Sequence, residues 1–414
     1  MSYTLQAGTH AVRLWALATS LIAATLLAPA IQAQPYTPES NSSIVDTLPA
    51  AIVELAADIR RQQQARATDN GAADILQQAM ASYQIAAASG EARAYGRTQA
   101  ILQRWPDETA QPAMYHILLA AVLQHNHQFR AALTELRHVI SAGADAGPAY
   151  IQALMIESQI GLVIGDYARV AQSCEALRTS ARRPVFINCQ AQLDGVTGNA
   201  RQALTLLRDT LRDGSGLNIV DYSELLTTAA VLAHRLDEPT LAEDYYRNAL
   251  RISPANSFVT VNYGNLLLEQ GRYHDLIALL SGESDNTLNA ELSILLTRAL
   301  LATGTPADQQ RADLLLARLD RDFELAFIRN EAIPYKEYAQ YALALADQPA
   351  AALSAAAENW KQQKEPSDTR LLASAAAANN DHDTLARIER WISDAGTEDA
   401  NLQEILDSMS ESTP

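Results

Sequence analysis

The sequence predicts an all-α protein, a right-handed α-solenoid of stacked antiparallel helix pairs, and three observations carry that reading. Apolar residues fill 48% of the 414 positions while aromatics fill only 6%. Such an alanine-rich composition suits close helix packing better than sheets, which favour branched and aromatic side chains. Gly and Pro are sparse and fall at intervals, as punctuation does. The helical apolar stripes also recur. The turn markers Phe129, Tyr167, Ala200, Leu241 and Tyr273 stand 38, 33, 41 and 32 residues apart. No single short helix buries its stripe alone; stacked neighbours do it together. Contacts local in sequence and an elongated chain are therefore expected.

The N-terminus reads separately. Arg13 precedes an uninterrupted apolar run of 14 residues, Leu14 to Leu27, shorter than the ~20 needed to span a bilayer. Small residues follow, ending at Ala33. Residues 1–33 are expected to be a signal peptide cleaved before Gln34, which places the protein in the periplasm. An uncleaved anchor is the alternative, because the apolar run extends to Ile31 if Pro29 is tolerated. No cysteine follows the run, and no later stretch is long enough to span, so no stable membrane insertion is expected after cleavage. Residues 34–46 read as a disordered linker. The remaining chain carries 30 basic against 48 acidic side chains, a net charge of −18. That surface repels phosphate backbones, so no nucleic-acid partner is expected.

Residues 47–110 read as N-terminal capping helices, "TLPAAIVELAADIRRQQQ" and "AADILQQAMASYQIAAAS". The clearest repeats span 111–282. In the stretch from Leu241 to Leu276, Ala242, Tyr246 and Ala249 share one helical face. Ser253-Pro254 stops that helix. Gly264 lets a neighbouring backbone approach, Gly271 ends the next helix and Tyr273 opens the third. Tyr246 is expected to fill space beside Gly264. Residues 283–398 read as degenerate helical repeats, and 399–414 as a C-terminal helix with an acidic tail.

The middle stretch resembles the tetratricopeptide repeat. Counting from Ser223, the residues Ala230, Ala242, Tyr246, Ala249 and Pro254 match that family's small, aromatic and proline positions, while Ala233 departs from its usual aromatic. Counting from Ser257, Gly264, Gly271 and Tyr273 match, and Leu276 replaces a small residue. The resemblance implies a superhelix of helix pairs. A second segment, "ALSAAAENWKQQKEPSDTRLLASAA", is similar to a stretch in some bacterial repeat proteins with comparable signal peptides. Its marks are Asn359, Trp360, Gln363, Glu365, Pro366, Asp368, Arg370 and Leu371. Trp360 is expected between helices, and Asp368 as a cap.

Chemistry is harder to find. There is no GxxxxGK[ST], HExxH, GxSxG or CxxC motif, so no catalytic residue and no cofactor are expected. His116, His125, His127 and His138 fall in one helix pair, but their spacing fits metal geometry loosely and polar turn residues account for them, so no metal ligand is expected. Cys174 and Cys189 flank a turn near Ser180 to Arg183 at similar height; either a disulfide or two buried thiols fits. The preferred function is an exported scaffold that binds a protein or peptide partner through its first helices, with Tyr150, Tyr222 and Asn262 as groove candidates. A subunit of an envelope assembly or export machine, and an α/α-solenoid hydrolase or lyase, are the alternatives.

Overall fold

A computed structural model describes residues 71–89, 92–106, 109–282, 284–285, 288–329 and 333–410. The chain divides into Met1–Leu48 and Pro49–Pro414. The first unit, with the expected signal peptide and linker, lies outside the described residues, as does the first of the two N-terminal helices. Every described residue belongs to the second unit.

Among the described residues there are 19 α-helices. The first two pairs are α1 (Ala72–Ser89) with α2 (Ala92–Leu102) and α3 (Ala113–His125) with α4 (Phe129–Ala142). Next come α5 (Pro148–Ile164) with α6 (Tyr167–Ser180) and α7 (Arg183–Asp194) with α8 (Ala200–Asp213). The middle pairs are α9 (Ile219–Arg235) with α10 (Pro239–Ile252) and α11 (Ser257–Glu269) with α12 (Tyr273–Leu279). They lead to α13 (Ala290–Thr303) with α14 (Pro306–Ile328) and α15 (Tyr335–Ala344) with α16 (Pro349–Gln362). Finally α17 (Pro366–Ala378) pairs with α18 (His382–Ala395), and α19 (Ala400–Ser410) closes the stack. The helix starts follow capping chemistry. Asn218 and Asp221 form a capping box on α9, and Asn256, Asn289 and Thr305 accept backbone N–H groups at α11, α13 and α14.

Packing explains the repeat residues. Ala230, Ala242 and Tyr246 have no exposed surface, and Ala249 almost none. Pro254 follows the end of α10 on the exposed turn, and Tyr273 opens α12 half-buried. Gly271 takes a left-handed φ of 68° at the α11–α12 turn, where a side chain would be strained. A Cβ on Gly264 would meet Leu276 Cδ1 at 3.1 Å and Leu295 Cδ1 at 3.2 Å. Tyr246 is therefore not the neighbour of Gly264. Its ring stacks instead on Tyr263 at 5.9 Å, with its hydroxyl 3.5 Å from His234 Nδ1. Cys174 and Cys189 are bonded, their Cα atoms 5.5 Å apart, and tie α6 to α7.

The curvature has a visible origin. At every step from α1 to α19 the first helix of one pair packs closely on the first helix of the next. The second helices do not pack closely on one another in this way. A stack that is tight along one layer and splayed along the other bends, with the first helices on the inside.

The bend continues until the coil meets itself, so contacts are not all local. The turns that end first helices in the middle pairs touch the turns that begin first helices near the C-terminus. Lys364 N–H donates to Val163 O at 2.6 Å, Thr397 Oγ1 to Val196 O at 2.9 Å, and Asn401 Nδ2 to Glu269 Oε2 at 2.9 Å. Gly198 and Gly396, at φ of 85° and 77°, bring backbone against backbone: a Cβ on Gly396 would lie 3.1 Å from Gly198 Cα. Trp391 lies over Gly165, where a Cβ would stand 2.7 Å from its ring. Arg235, 5% exposed, donates to Gly195 O and Glu398 O, both at 2.7 Å. The Asp399 carboxylate lies 3.7 Å from Arg235 and 3.6 Å from Arg370. The expectation of purely local contacts fails here because the superhelical pitch is short enough for successive rims to meet.

This packing makes two outcomes testable. Tyr246→Ala should cost about 3–5 kcal/mol, the range for truncating a large buried aromatic, read by denaturant unfolding, with hydrogen exchange rising first in α9–α11. Asp399→Ala leaves the Arg235 guanidinium buried without its carboxylate and should cost about 3–5 kcal/mol. Small-angle scattering of that variant should show a larger radius of gyration; an unchanged radius and unchanged stability would mean that the seam contributes nothing.

Candidate functional site

The inner layer presents side chains in a regular register. In four successive first helices a small residue is buried against its neighbours: Gly161, Ala191, Ala230 and Gly264. Gly161 faces Val170 of the second helix as Gly264 faces Leu276. Six residues before each stands a side chain that is wholly or partly open: Met155, Val185, Glu224 and Phe258. Met155 is 37% exposed and Phe258 53%. The first three line one shallow groove across α5, α7 and α9, together with Gln159, Asn188 and Gln192. Val220, 63% exposed, forms its edge.

The polar groups of the groove are ordered. Thr228 Oγ1 donates to Asn188 Oδ1 at 2.7 Å. Asp221 is held by Arg182 at the groove edge and by the α9 cap. Glu224 stands in the groove with burial alone pushing its carboxyl above the ordinary range.

A second feature lies on α13, α15 and α17. The Lys336 ammonium is 3.2 Å from Glu291, and Glu337, Glu365 and Asp368 add to its field. Burial pushes the Glu365 carboxyl up to about 7, the nearby Asp368 charge adds to the rise and Lys336 opposes it. Burial raises Glu337 and Asp368 as well. Asp368 caps α17 by accepting Glu365 N–H at 3.1 Å and binds Asn359 Nδ2 at 2.9 Å. Trp360 sits edge-on to Trp391 at 5.7 Å and donates to Thr369, and Lys364 lies over both indoles. The sequence segment from Asn359 to Leu371 thus holds the α16–α17 turn in place. The arrangement is structural.

The other singled-out residues are dispersed. Tyr150 and Tyr222 are half-buried on α5 and α9, packed against the core. Asn262 on α11 donates to Phe258 O at 2.8 Å. The structure sets these three on different helices. His116 Nδ1–H donates to the Glu135 carboxylate at 2.8 Å and its ring stacks on His138, while His125 stacks on Tyr95. Among the described residues no group of three His, Cys, Asp or Glu side chains is placed to hold a metal ion, and no helix is long and apolar enough to cross a membrane. The ladder of Met155, Val185, Glu224 and Phe258 was missed in the sequence. Its signal is the constant six-residue offset from a small residue.

No family model and no curated protein matches the chain. Among solved structures it is similar to the human IFIT1 dimer with m7Gppp-AAAA, with a TM-score of 0.43 and 9% identity over 88% of this chain and 95% of that one. It is also similar to the P58(IPK) TPR domain, with a TM-score of 0.23 and 15% identity over 81% and 97%. A third is the pentatricopeptide repeat protein PPR10 from maize, with a TM-score of 0.27 and 16% identity over 87% and 59%. At these scores the likenesses carry no inference about what this chain binds.

The Lys336 cluster also sets a pH response. Glu365 holds its proton more tightly folded than unfolded, so its contribution is present below the ordinary glutamate range and lost as pH rises through about 7. Asp368 and Glu337 act in the same direction. The stability difference between Glu365→Gln and the parent chain should therefore move in the variant's favour from pH 5.5 to pH 8. Denaturant unfolding at both pH values checks this; a difference independent of pH refutes it.

Proposed function

We propose that this chain is an exported helical-repeat scaffold that binds a protein or peptide partner along its inner face. The observation that supports this reading best is the open ladder on successive first helices, Met155, Val185, Glu224 and Phe258. Open side chains, three apolar and one acidic, on successive helices of a concave surface are what a recognition groove requires. The groove carries amides and two carboxylates, Glu224 and the Arg182-paired Asp221, a set for orientation that suits binding rather than bond cleavage. The envelope location rests on the apolar leader and its small-residue exit at Ala33. A permanent subunit of an envelope assembly would use the same face and differ only in the lifetime of the contact.

Site-specific photo-cross-linking tests the face. A photoreactive phenylalanine placed at Phe258 should capture a discrete partner in cells. The same probe at Leu314, 70% exposed on the second helix α14, should not. Equal capture at both positions would count against an inner-face site.

A further inference from the structure

The ladder also bears on the form of the partner, and this step rests on the inner-face reading above. Its four rungs sit on α5, α7, α9 and α11, and these first helices pack directly on one another. Packed helices are spaced about 8–10 Å apart. An extended chain advances about 3.3 Å per residue, and a polyproline II chain about 3.1 Å with three residues per turn. Three residues of a polyproline II chain, one turn of about 9.3 Å, therefore span one step of the ladder, whereas an extended strand turns residues i and i+3 to opposite faces. Side chains at every third position face successive rungs, while the intervening ones point elsewhere.

The rungs differ in chemistry. Met155, Val185 and Phe258 are apolar. Glu224 is the charged rung, and the groove lining adds one further acid, Asp221, and no base. Arg182, at the edge, is committed to Asp221 through two hydrogen bonds. An apolar side chain opposite Glu224 would bury an unpaired carboxylate, which is costly; a Lys or Arg there satisfies it. Asn188 and Gln192, flanking the rungs, offer amide donors and acceptors to the backbone of a chain lying across them.

We infer that the inner face takes a polyproline II segment of a partner protein with a three-residue period, apolar side chains meeting Met155 and Val185 in the groove and Phe258 beyond it on α11, and a basic side chain meeting Glu224. The carrying observation is the equal offset of these rungs on packed neighbouring helices. The spacing of packed helices selects the period, and Glu224 selects the position of the cation.

Fluorescence anisotropy on the whole chain tests this with labelled synthetic peptides. One probe has Leu at positions one, four and ten, Lys at seven and Ser elsewhere; a second has the reverse order, since the groove admits two chain directions. Isomers of the same composition carry two-residue or four-residue periods. One of the three-period peptides should bind roughly tenfold or more tightly than either isomer, the loss expected when anchors fall out of register. Replacing its Lys by Glu should weaken binding by a similar factor, and Glu224→Lys should invert that preference. Phe258→Ala should weaken the three-period peptide, with circular dichroism confirming that the variant folds. If the isomers bind equally well and Phe258→Ala weakens all alike, the groove reading stands and the period is wrong. If no peptide binds, or if a uridine oligonucleotide binds in their place, both readings fall.

Discussion

The rest of the structure depends on the meeting of the coil with itself. Helix-pair stacking alone leaves a solenoid free to vary its pitch, because each pair answers only to its neighbours. The contact of Gly198 with Gly396, of Trp391 with Gly165, and of Arg235 with Glu398 and Asp399 removes that freedom. The seam admits little latitude. Two glycines with left-handed backbones touch where any side chain would intrude, and a buried guanidinium reaches two carbonyls belonging to distant turns. The ionic part is less complete: Arg235 Nε, Arg370 NH1 and Asp399 Oδ2 are buried without a hydrogen-bond partner among the protein groups. Charge at 3.6–3.7 Å holds these groups in place without the geometry of a full hydrogen bond, so the seam gains specificity more than energy.

The seam also explains how a surface on the inside stays in shape. The first helices α5, α7, α9 and α11 carry the open ladder at their middles and starts, and their far ends are pinned in the seam at Val163, Val196, Arg235 and Glu269. A groove built on helices held at one end by such contacts is preorganised, which reduces the ordering cost of binding. His234 links the seam to the core, bonded to Glu269 on one side and near the buried Tyr246 hydroxyl on the other. Burial pushes the Glu269 carboxyl up, but the His234 bond and the Arg370 charge outweigh it and hold it below the ordinary range.

Much of the fold was legible in the sequence because its causes are local. Ala242, Tyr246 and Ala249 mark a buried face by spacing alone, and Gly271 marks a turn by its need for a left-handed backbone. The helix "AADILQQAMASYQIAAAS" coincides with α1. Tyr246 was misplaced relative to Gly264 because spacing fixes a face of a helix, not which residue across the interface fills it. The seam was illegible for a stronger reason: Arg235 and Glu398 stand 163 residues apart, and no periodicity links them. Asp368 was legible as a cap because its partner, the Glu365 N–H, is three residues away. Arg370 was legible only as part of its segment, because its partners Glu269 and Asp399 come from other elements.

The sequence distance across the seam also sets an order of events in folding. Helix pairs form from neighbours and close short loops, so they order quickly and in any sequence. The seam closes a loop of roughly 200 residues, from Val163 to Lys364, and it exists only after α16 to α19 have formed. The stack must reach nearly its full length before its ends of travel meet. Until then the chain is an open spring whose inner face has no fixed pitch, and the last fifth of the sequence decides when it stops being one.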